Sequence, residues 1–387
     1  MTIVIAMVAG ETSGDLLGAH LIRALRVHLP DARFCGIGGP RMQAEGFEAR
    51  WPAELLAVHG YVDALRRYRA LAGIRRQLLA DIRQNRPAAF IGVDAPDFNL
   101  WLERRVKSAN IPAIHFVSPS IWAWRGSRIH DIARSVSHML CLFPFELPIY
   151  EKAGIPASYV GHPLADVFPL EPDRAGMRER LCLPQTARIV ALLPGSRQSE
   201  VRNLADNFLA AAALLHQRHP EMQFLVPLAT RETRELFMEA LQRNEATHLP
   251  IRLLFGHAAD AMTAADVVLL ASGTASLEAA LLKRPMVISY RMGNWQYRLM
   301  KRMAYLPWTG LPNILCGEQV VPELLQDAAT PEALADAVDH WFDDTAARAA
   351  LVERFTGLHH SLRQDTATRA VEAILPYLQK SAEGRHD

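Results

Sequence analysis

Val267-Val268-Leu269-Leu270-Ala271-Ser272-Gly273-Thr274-Ala275-Ser276-Leu277-Glu278-Ala279-Ala280-Leu281-Leu282 decides the fold. Four consecutive apolar residues, Val267–Leu270, read as a buried strand. A turn of small residues follows, and then an Ala/Leu/Glu run with high helix propensity. A strand–turn–helix of this kind leaves the first helical N–H groups unpaired, and with the helix dipole they form an anion site. Gly273 lets a phosphate approach the backbone, and Ser272 or Thr274 can cap the helix or donate to the anion. Glu278, five residues past the glycine, falls on the second helical turn, within reach of a ribose hydroxyl. An ordinary strand–helix loop with a solvated Glu278 has the same pattern, so the rest of the chain must decide.

The same unit repeats on both sides of this stretch. Apolar runs at Ile3–Val8, Phe34–Ile37, Ala88–Val93, Ile114–Val117 and Met139–Leu142 each end in Gly, Ser, Pro or Asp and are followed by helical patterns. Further runs at Arg188–Leu193, Phe224–Val226, Ile251–Phe255 and Met286–Ser289 continue the alternation. Strands alternating with helices predict parallel sheets covered on both faces, with ligands at the carboxyl ends of the strands. Residues 162–185 carry four prolines and read as a connection with one short helix near Asp173–Leu181. The predicted fold class is α/β, with two doubly wound Rossmann-like lobes facing a cleft. Its parts are an acceptor- and membrane-side lobe over 1–165, a linker over 166–185 and a nucleotide-binding lobe over 186–345. Helices over 346–387 are candidates for packing back on the first lobe. Val321-Pro322-Glu323-Leu324-Leu325-Gln326, after Leu311-Pro312-Asn313, reads as one more helix.

Half of the 387 residues are apolar, enough for a large core and two domains. Lys and Arg number 42 against 41 Asp and Glu, a balance that argues against a general nucleic-acid binder. Cys35, Cys141, Cys182 and Cys316 are scattered, so neither a disulfide framework nor a zinc site is predicted, and a reducing compartment fits. The N-terminal run MTIVIAMVAGE has no basic start and carries Glu11, as a first strand would rather than a signal peptide. No run approaches the ~18 apolar residues of a spanning helix. A cytoplasmic protein, soluble or peripheral to a membrane, is expected.

Several strand ends carry candidate chemistry. Gly10-Glu11-Thr12-Ser13-Gly14-Asp15 has neither dinucleotide-fingerprint nor P-loop spacing. It reads either as a capping box of Thr12 and Asp15 or as a backbone cradle in which Gly10, Ser13 and Gly14 meet a substrate or its phosphate. In Asp94-Ala95-Pro96-Asp97 two carboxylates follow a strand; Asp94 is favoured as a general base and Asp97 as a helix cap, although spacing alone does not separate them. Ser118-Pro119-Ser120-Ile121-Trp122-Ala123-Trp124-Arg125 places Ser118 and Trp122 at another strand end, as a substrate wall or an apolar packing surface. Arg197, in Pro194-Gly195-Ser196-Arg197, can grip a diphosphate bidentately. No Asp-x-Asp pair stands at a strand end, so no metal is expected and Arg197 with the Gly273 helix would carry the diphosphate charge. Asn313 is a candidate substrate contact or a turn residue. Over Leu56–Leu79, Val58, Tyr61, Val62, Leu65 and Tyr68 recur near helical spacing among Arg66, Arg67 and Arg69, with Arg75 and Arg76 beyond. That is either a basic amphipathic membrane contact or a core helix with solvated arginines.

Taken together, the chain resembles the lipid A disaccharide synthases, glycosyltransferases of the Gram-negative envelope. The resemblance runs nearly end to end and rests on VAGETSGD (8–15), GPRMQAEG (39–46), VDAPDFN (93–99), VSPSIWAWR (117–125), LLPGSR (192–197), LASGTASLE (270–278) and LPN (311–313). It implies a glycosyltransferase B-type fold and a reaction joining UDP-2,3-diacylglucosamine to 2,3-diacylglucosamine 1-phosphate (lipid X), giving the β-1,6 disaccharide and UDP. It also implies Asp94 as base, Arg197 on the diphosphate, Glu278 on the ribose, and Asn313 as a residue needed for activity; Ser272, Gly273 and Thr274 stand as diphosphate contacts on the reading of their own turn. No cofactor is implied. Peripheral attachment to the cytoplasmic face of the inner membrane through 56–79 is implied, and a homodimer is compatible with it. Glu318-Gln319 departs from the basic–acidic pair expected after Asn313, so no role is assigned there. The alternatives are a UDP-GlcNAc 2-epimerase-like enzyme and a non-catalytic nucleotide-sugar-binding protein.

Overall fold

The computed structural model describes residues 3–52 and 61–383, without the side chains of residues 11, 12, 52, 61–70, 294, 299 and 380–383. The chain forms two compact units: one runs to Asp166 and is completed from Leu362 onward, and the other is Val167–Ser361.

The first unit holds seven strands: β1 (Val4–Ala9), β2 (Arg33–Gly38), β3 (Phe47–Pro52), β4 (Ala89–Val93), β5 (Ala113–Phe116), β6 (His138–Cys141) and β7 (Ala157–Tyr159). They pair in parallel in the order β3-β2-β1-β4-β5-β6-β7. Met7 lies opposite Gly36 on one side and Ile91 on the other. The second unit has β8 (Ile189–Leu193), β9 (Gln223–Leu228), β10 (Ile251–Phe255), β11 (Val267–Ala271), β12 (Met286–Tyr290) and β13 (Glu323–Leu325), in the order β10-β9-β8-β11-β12-β13. In each sheet the chain winds outward from the first strand and then restarts on its other side. The switch points fall between β1 and β4 and between β8 and β11, where open α/β sheets bind ligands. The residues of β4, β8 and β11 are all buried. At about 1.5–3 kcal/mol for each buried large aliphatic side chain, these central strands hold the register that aims the loops.

The edge strands β3, β7 and β13 have no counterpart in the sequence reading. Val321–Gln326 does not form the expected helix. Pro322 has no N–H to donate, its carbonyl accepts from Ile288, and Glu323–Leu325 pairs with β12. A short helix, Leu311–Cys316, precedes it.

The short helix expected within residues 162–185 is present. Asp173 caps the helix Arg174–Arg180, and the buried Arg178 donates to the carbonyls of Ala264, Gln185 and Ala187 and pairs with Asp266 at 2.9 Å, fastening this segment to β8 and β11. The helix Thr345–Leu362 lies almost wholly within the second unit. The helix Thr366–Glu383 belongs to the first, where it packs on Glu11–His28. Val58 lies outside the described residues. A helix does run over Tyr61–Asn85; Leu71, Ile74, Leu78, Leu79 and Ile82 pack against Phe90, Phe98 and Leu102, so its second half is a core helix. The side chains of Tyr61, Val62, Leu65, Arg66, Arg67, Tyr68 and Arg69 lie outside the described ones.

Candidate functional site

Three neighbouring strand ends in the first unit gather the residues singled out there. After β1, Gly10 caps the helix Glu11–His28 in extended backbone, without a side-chain bond. Gly14 brings this helix close: a Cβ there would sit 3.6 Å from the Ala9 side chain and from the Val93 carbonyl, directly before Asp94. Ser13 is exposed beside it. Asp15 takes no part in a capping box of its own helix. Its carboxylate accepts from the N–H groups of Gly39 (2.9 Å), Arg41 (3.0 Å) and Met42 (3.0 Å), capping the separate helix Pro40–Ala44.

At the end of β4, Asp94 and Ala95 both have left-handed backbone, φ 53° and 43°, and Val117, after β5, has φ 82°. Non-glycine residues hold such angles only when their surroundings impose them. The Asp94 N–H donates to Phe116 O at 2.8 Å, and Asn99 Nδ2 donates to Asp94 O at 2.7 Å. The Asp94 carboxylate is half-buried and has no partner among the described residues. Asp97 is not a cap. Ala95 occupies the N-cap, while the exposed Asp97 carboxylate pairs with Arg128 and its carbonyl accepts from Arg75 at 2.7 Å. Beneath the turn, fully buried Glu103 and His115 pair at 2.7 Å. Burial pushes the Glu103 carboxyl up, against the pull of His115. A side chain at Gly92 would overlap Glu103, so the glycine makes room for the pair.

Ser118 and Trp122 are committed internally. The buried Ser118 hydroxyl lies 2.7 Å from the Tyr150 hydroxyl and 3.2 Å from Pro119 O, and Trp122 Nε1 donates to Glu146 Oε1 at 3.1 Å with its ring edge-on to Phe145. This corrects the expected substrate contact for Ser118: its hydroxyl is spent on neighbours. Glu146, which the sequence reading missed, is buried and also accepts from Phe143 N at 3.0 Å; desolvation pushes its carboxyl up to about 7 despite these donors. Trp124 is more exposed, with the Arg125 guanidinium 4.1 Å over its ring.

In the second unit, Glu200 organises the Pro194–Arg197 loop. Its Oε2 accepts from Ser196 N (3.1 Å) and Arg197 N (3.2 Å), and Gly195, at φ 121°, has no room for a Cβ against it. The Arg197 side chain is 75% exposed, 3.6 Å from Glu200, at the N-cap of the helix Gln198–Arg218. After β11, Ser272 N donates to Ser289 O, Ser272 Oγ to Thr309 O, and Ser276 Oγ to Gly273 O at 2.7 Å. The helix Thr274–Leu281 starts there, leaving its first N–H groups without intrahelical acceptors. Gly273 is extended, and no atom lies within 4 Å of where its Cβ would stand. Glu278 is half-buried with no partner among the described residues, and burial raises its carboxyl above the ordinary range.

Asn313 is buried and its amide is fully spent: Nδ2 donates to Val321 O (3.0 Å) and Glu323 Oε1 (2.7 Å), while Oδ1 accepts from Val320 N (2.8 Å) and Val321 N (3.0 Å). The expected substrate contact is therefore corrected to a brace. Glu323 also accepts from Thr309 N, Thr309 Oγ1 and Gly310 N, so the network holds the loop whose carbonyl anchors Ser272. Glu318 pairs with Arg354.

Two Rossmann-type parallel sheets in one chain, each carrying polar loops at its switch point, define the glycosyltransferase B-type class of α/β fold. The UDP-GlcNAc 2-epimerase of Neisseria meningitidis, solved with UDP-GlcNAc, superposes with a TM-score of 0.65 over 98% of this chain and 100% of that one, at 12% identity. MurG of Acinetobacter baumannii gives 0.56 over 97% and 100%, at 15% identity. At those identities the likeness concerns the fold alone. Residues 5–374 match the model of the lipid-A-disaccharide synthetase family. The lipid-A-disaccharide synthase of Azoarcus sp. strain BH72 is 74% identical over 378 residues, 98% of this chain and 97% of that protein. The chain belongs to the lipid-A-disaccharide synthetase family. It is an enzyme of the glycosyltransferase class, and the epimerase reading is not favoured. No helix among the described residues is long and apolar enough to cross a membrane.

Proposed function

We propose that this chain transfers the 2,3-diacylglucosaminyl group of UDP-2,3-diacylglucosamine to the primary hydroxyl of 2,3-diacylglucosamine 1-phosphate, with inversion. Asp94 takes the hydroxyl proton, the oxygen attacks the anomeric carbon, and the bond to the diphosphate breaks to release UDP. The Asp94 carboxylate, held at a strained strand end and without a partner among the described residues, supports its role as base. Arg197 and the N–H groups at Gly273–Ala275 bind the diphosphate and stabilise the charge that develops on it, without a metal. Glu278 accepts from the ribose hydroxyls, an occupation that suits a half-buried carboxylate with no partner among the described residues. Gly10, Ser13 and Gly14 line the acceptor side. The basic segment around the start of the helix Tyr61–Asn85 rests on the cytoplasmic face of the inner membrane.

The observation that carries this reading is family membership combined with a carboxylate that has no partner among the described residues at each switch point, Asp94 in one unit and Glu278 in the other. Calorimetric titration with UDP tests the nucleotide half. Arg197→Ala should weaken UDP binding on the order of tenfold or more, since a charge-assisted phosphate contact contributes about 1.5–3 kcal/mol. Asp94→Ala should leave UDP affinity unchanged. Undiminished affinity in Arg197→Ala would remove Arg197 from the diphosphate site.

A further inference from the structure

From Ala279 to Gly317 the chain contains no acidic residue, yet it carries Lys283, Arg284, Arg291, Arg298, Lys301 and Arg302. The last three lie on the ten-residue helix Asn294–Met303 of the second unit. Positions i, i+3 and i+7 of a helix share a face, which sets Trp295, Arg298 and Arg302 in one outward stripe. All three are exposed, Trp295 at 75%, whereas Tyr297, Met300 and Met303 turn partly inward. Lys301 is exposed beside the stripe, and Tyr305, 62% exposed, follows the helix. None of Arg298, Lys301 and Arg302 forms an ion pair among the described residues. The helix is fastened at its base: Met292 N donates to Gln326 Oε1 at 2.7 Å, and Gln326 Nε2 returns a bond to Met292 O at 2.9 Å.

We infer that this helix is a lipid-surface contact of the second unit, docking on an anionic bilayer with Trp295 at headgroup depth and Arg298, Lys301 and Arg302 among the phosphates. Charge complementarity selects this occupant. Three cations without counter-ions among the described residues are neutralised by anionic headgroups, whereas a second copy of the same stripe would repel it. An exposed tryptophan between arginines suits the bilayer interface, which takes an amphipathic ring with one wet edge. Each such cation contributes several-fold to binding near an anionic surface, and salt screens the effect. The inference goes beyond the transfer reaction and needs neither Asp94 nor Arg197 in its assigned role. It also concerns a different unit from the Tyr61–Asn85 segment.

The test uses the full chain with vesicles of phosphatidylglycerol and phosphatidylcholine, some carrying brominated acyl chains, and with pure phosphatidylcholine as the neutral control. Tryptophan quenching by the brominated chains is decisive. Wild type should show a quenched component that Trp295→Phe loses, and a variant that retains all of it overturns the inference. In co-sedimentation, Arg298→Gln/Arg302→Gln should bind anionic vesicles on the order of tenfold more weakly at low salt. Its UDP release from detergent-dispersed substrates and its melting temperature should be unchanged. A lipid-free sedimentation mass that falls in Trp295→Ser would instead assign the stripe to self-association and overturn the lipid contact.

Discussion

Asp94 and Ala95 stand consecutively in left-handed backbone, a conformation costing on the order of 1–3 kcal/mol per residue. The cost is carried by the Asp94–Phe116 and Asn99–Asp94 hydrogen bonds and leaves one carboxylate without a partner among the described residues. Asp94→Ala should lower kcat on the order of a hundredfold or more, as expected for a lost general base; near-normal turnover in steady-state assays would exclude the role. Asn313 behaves oppositely. Its four bonds fix Val320, Val321 and Glu323, so Asn313→Ala should destabilise the second unit by about 2 kcal/mol or more through stranded buried groups, as read in urea melts. An unchanged urea midpoint would show that the brace is dispensable. Small local motifs such as Ser272-Gly273-Thr274 were legible in the sequence because the turn and its helix are neighbours along the chain. The roles of Asn313 and Asp15 were not legible because their partners, Val320, Val321 and Glu323 for the one and the helix Pro40–Ala44 for the other, lie seven or more residues away and carry no local signal.

At the scale of elements, Glu146 and His162 give a pH dependence of opposite signs. The ordinary carboxyl value of 4.5 for Glu146 rises to about 7 in the fold, chiefly by desolvation. The folded state therefore holds this proton more tightly than the unfolded chain. Its stabilising contribution is complete below about 4.5 and is lost as pH climbs towards 7, a change of about 3 kcal/mol. His162, stacked on Phe143, is depressed by burial from 6.5 to about 4, so its neutral form favours the fold as pH rises through that window. The difference between wild type and Glu146→Gln isolates the carboxyl. Denaturant melts at pH 5 and pH 7.5 should show the variant losing less stability on going to the higher pH, and parallel losses would contradict the assignment. Central strands such as β4, β8 and β11 could be read from continuous apolar runs. Of the edge strands, only β10 could be read so: β7 and β13 have three residues each, and Phe47–Pro52 mixes charges with a terminal proline, so these three leave no hydrophobic period.

At the scale of the whole molecule, the first unit is completed by a distant piece of chain. Ala370, Val371, Ile374 and Leu378 of the last helix are buried, Tyr377 reaches Ser137 O and His138, and Asp166 accepts from the N–H groups of Asp365 and Thr366. A chain ending at Ser361 should therefore lose the first unit's unfolding transition, because the buried surface removed is a large part of a domain stability of about 5–15 kcal/mol. The transition of Val167–Ser361 should persist, and calorimetry that finds both transitions intact would contradict this division. The central claim is metal-independent glycosyl transfer between two lipid-linked sugars. Its most direct measurement is UDP release from UDP-2,3-diacylglucosamine in detergent micelles, with and without 2,3-diacylglucosamine 1-phosphate, in EDTA. Release that requires the acceptor and persists in EDTA is the expected result. Release without acceptor, release abolished by EDTA, or no release with both lipids present would contradict the claim.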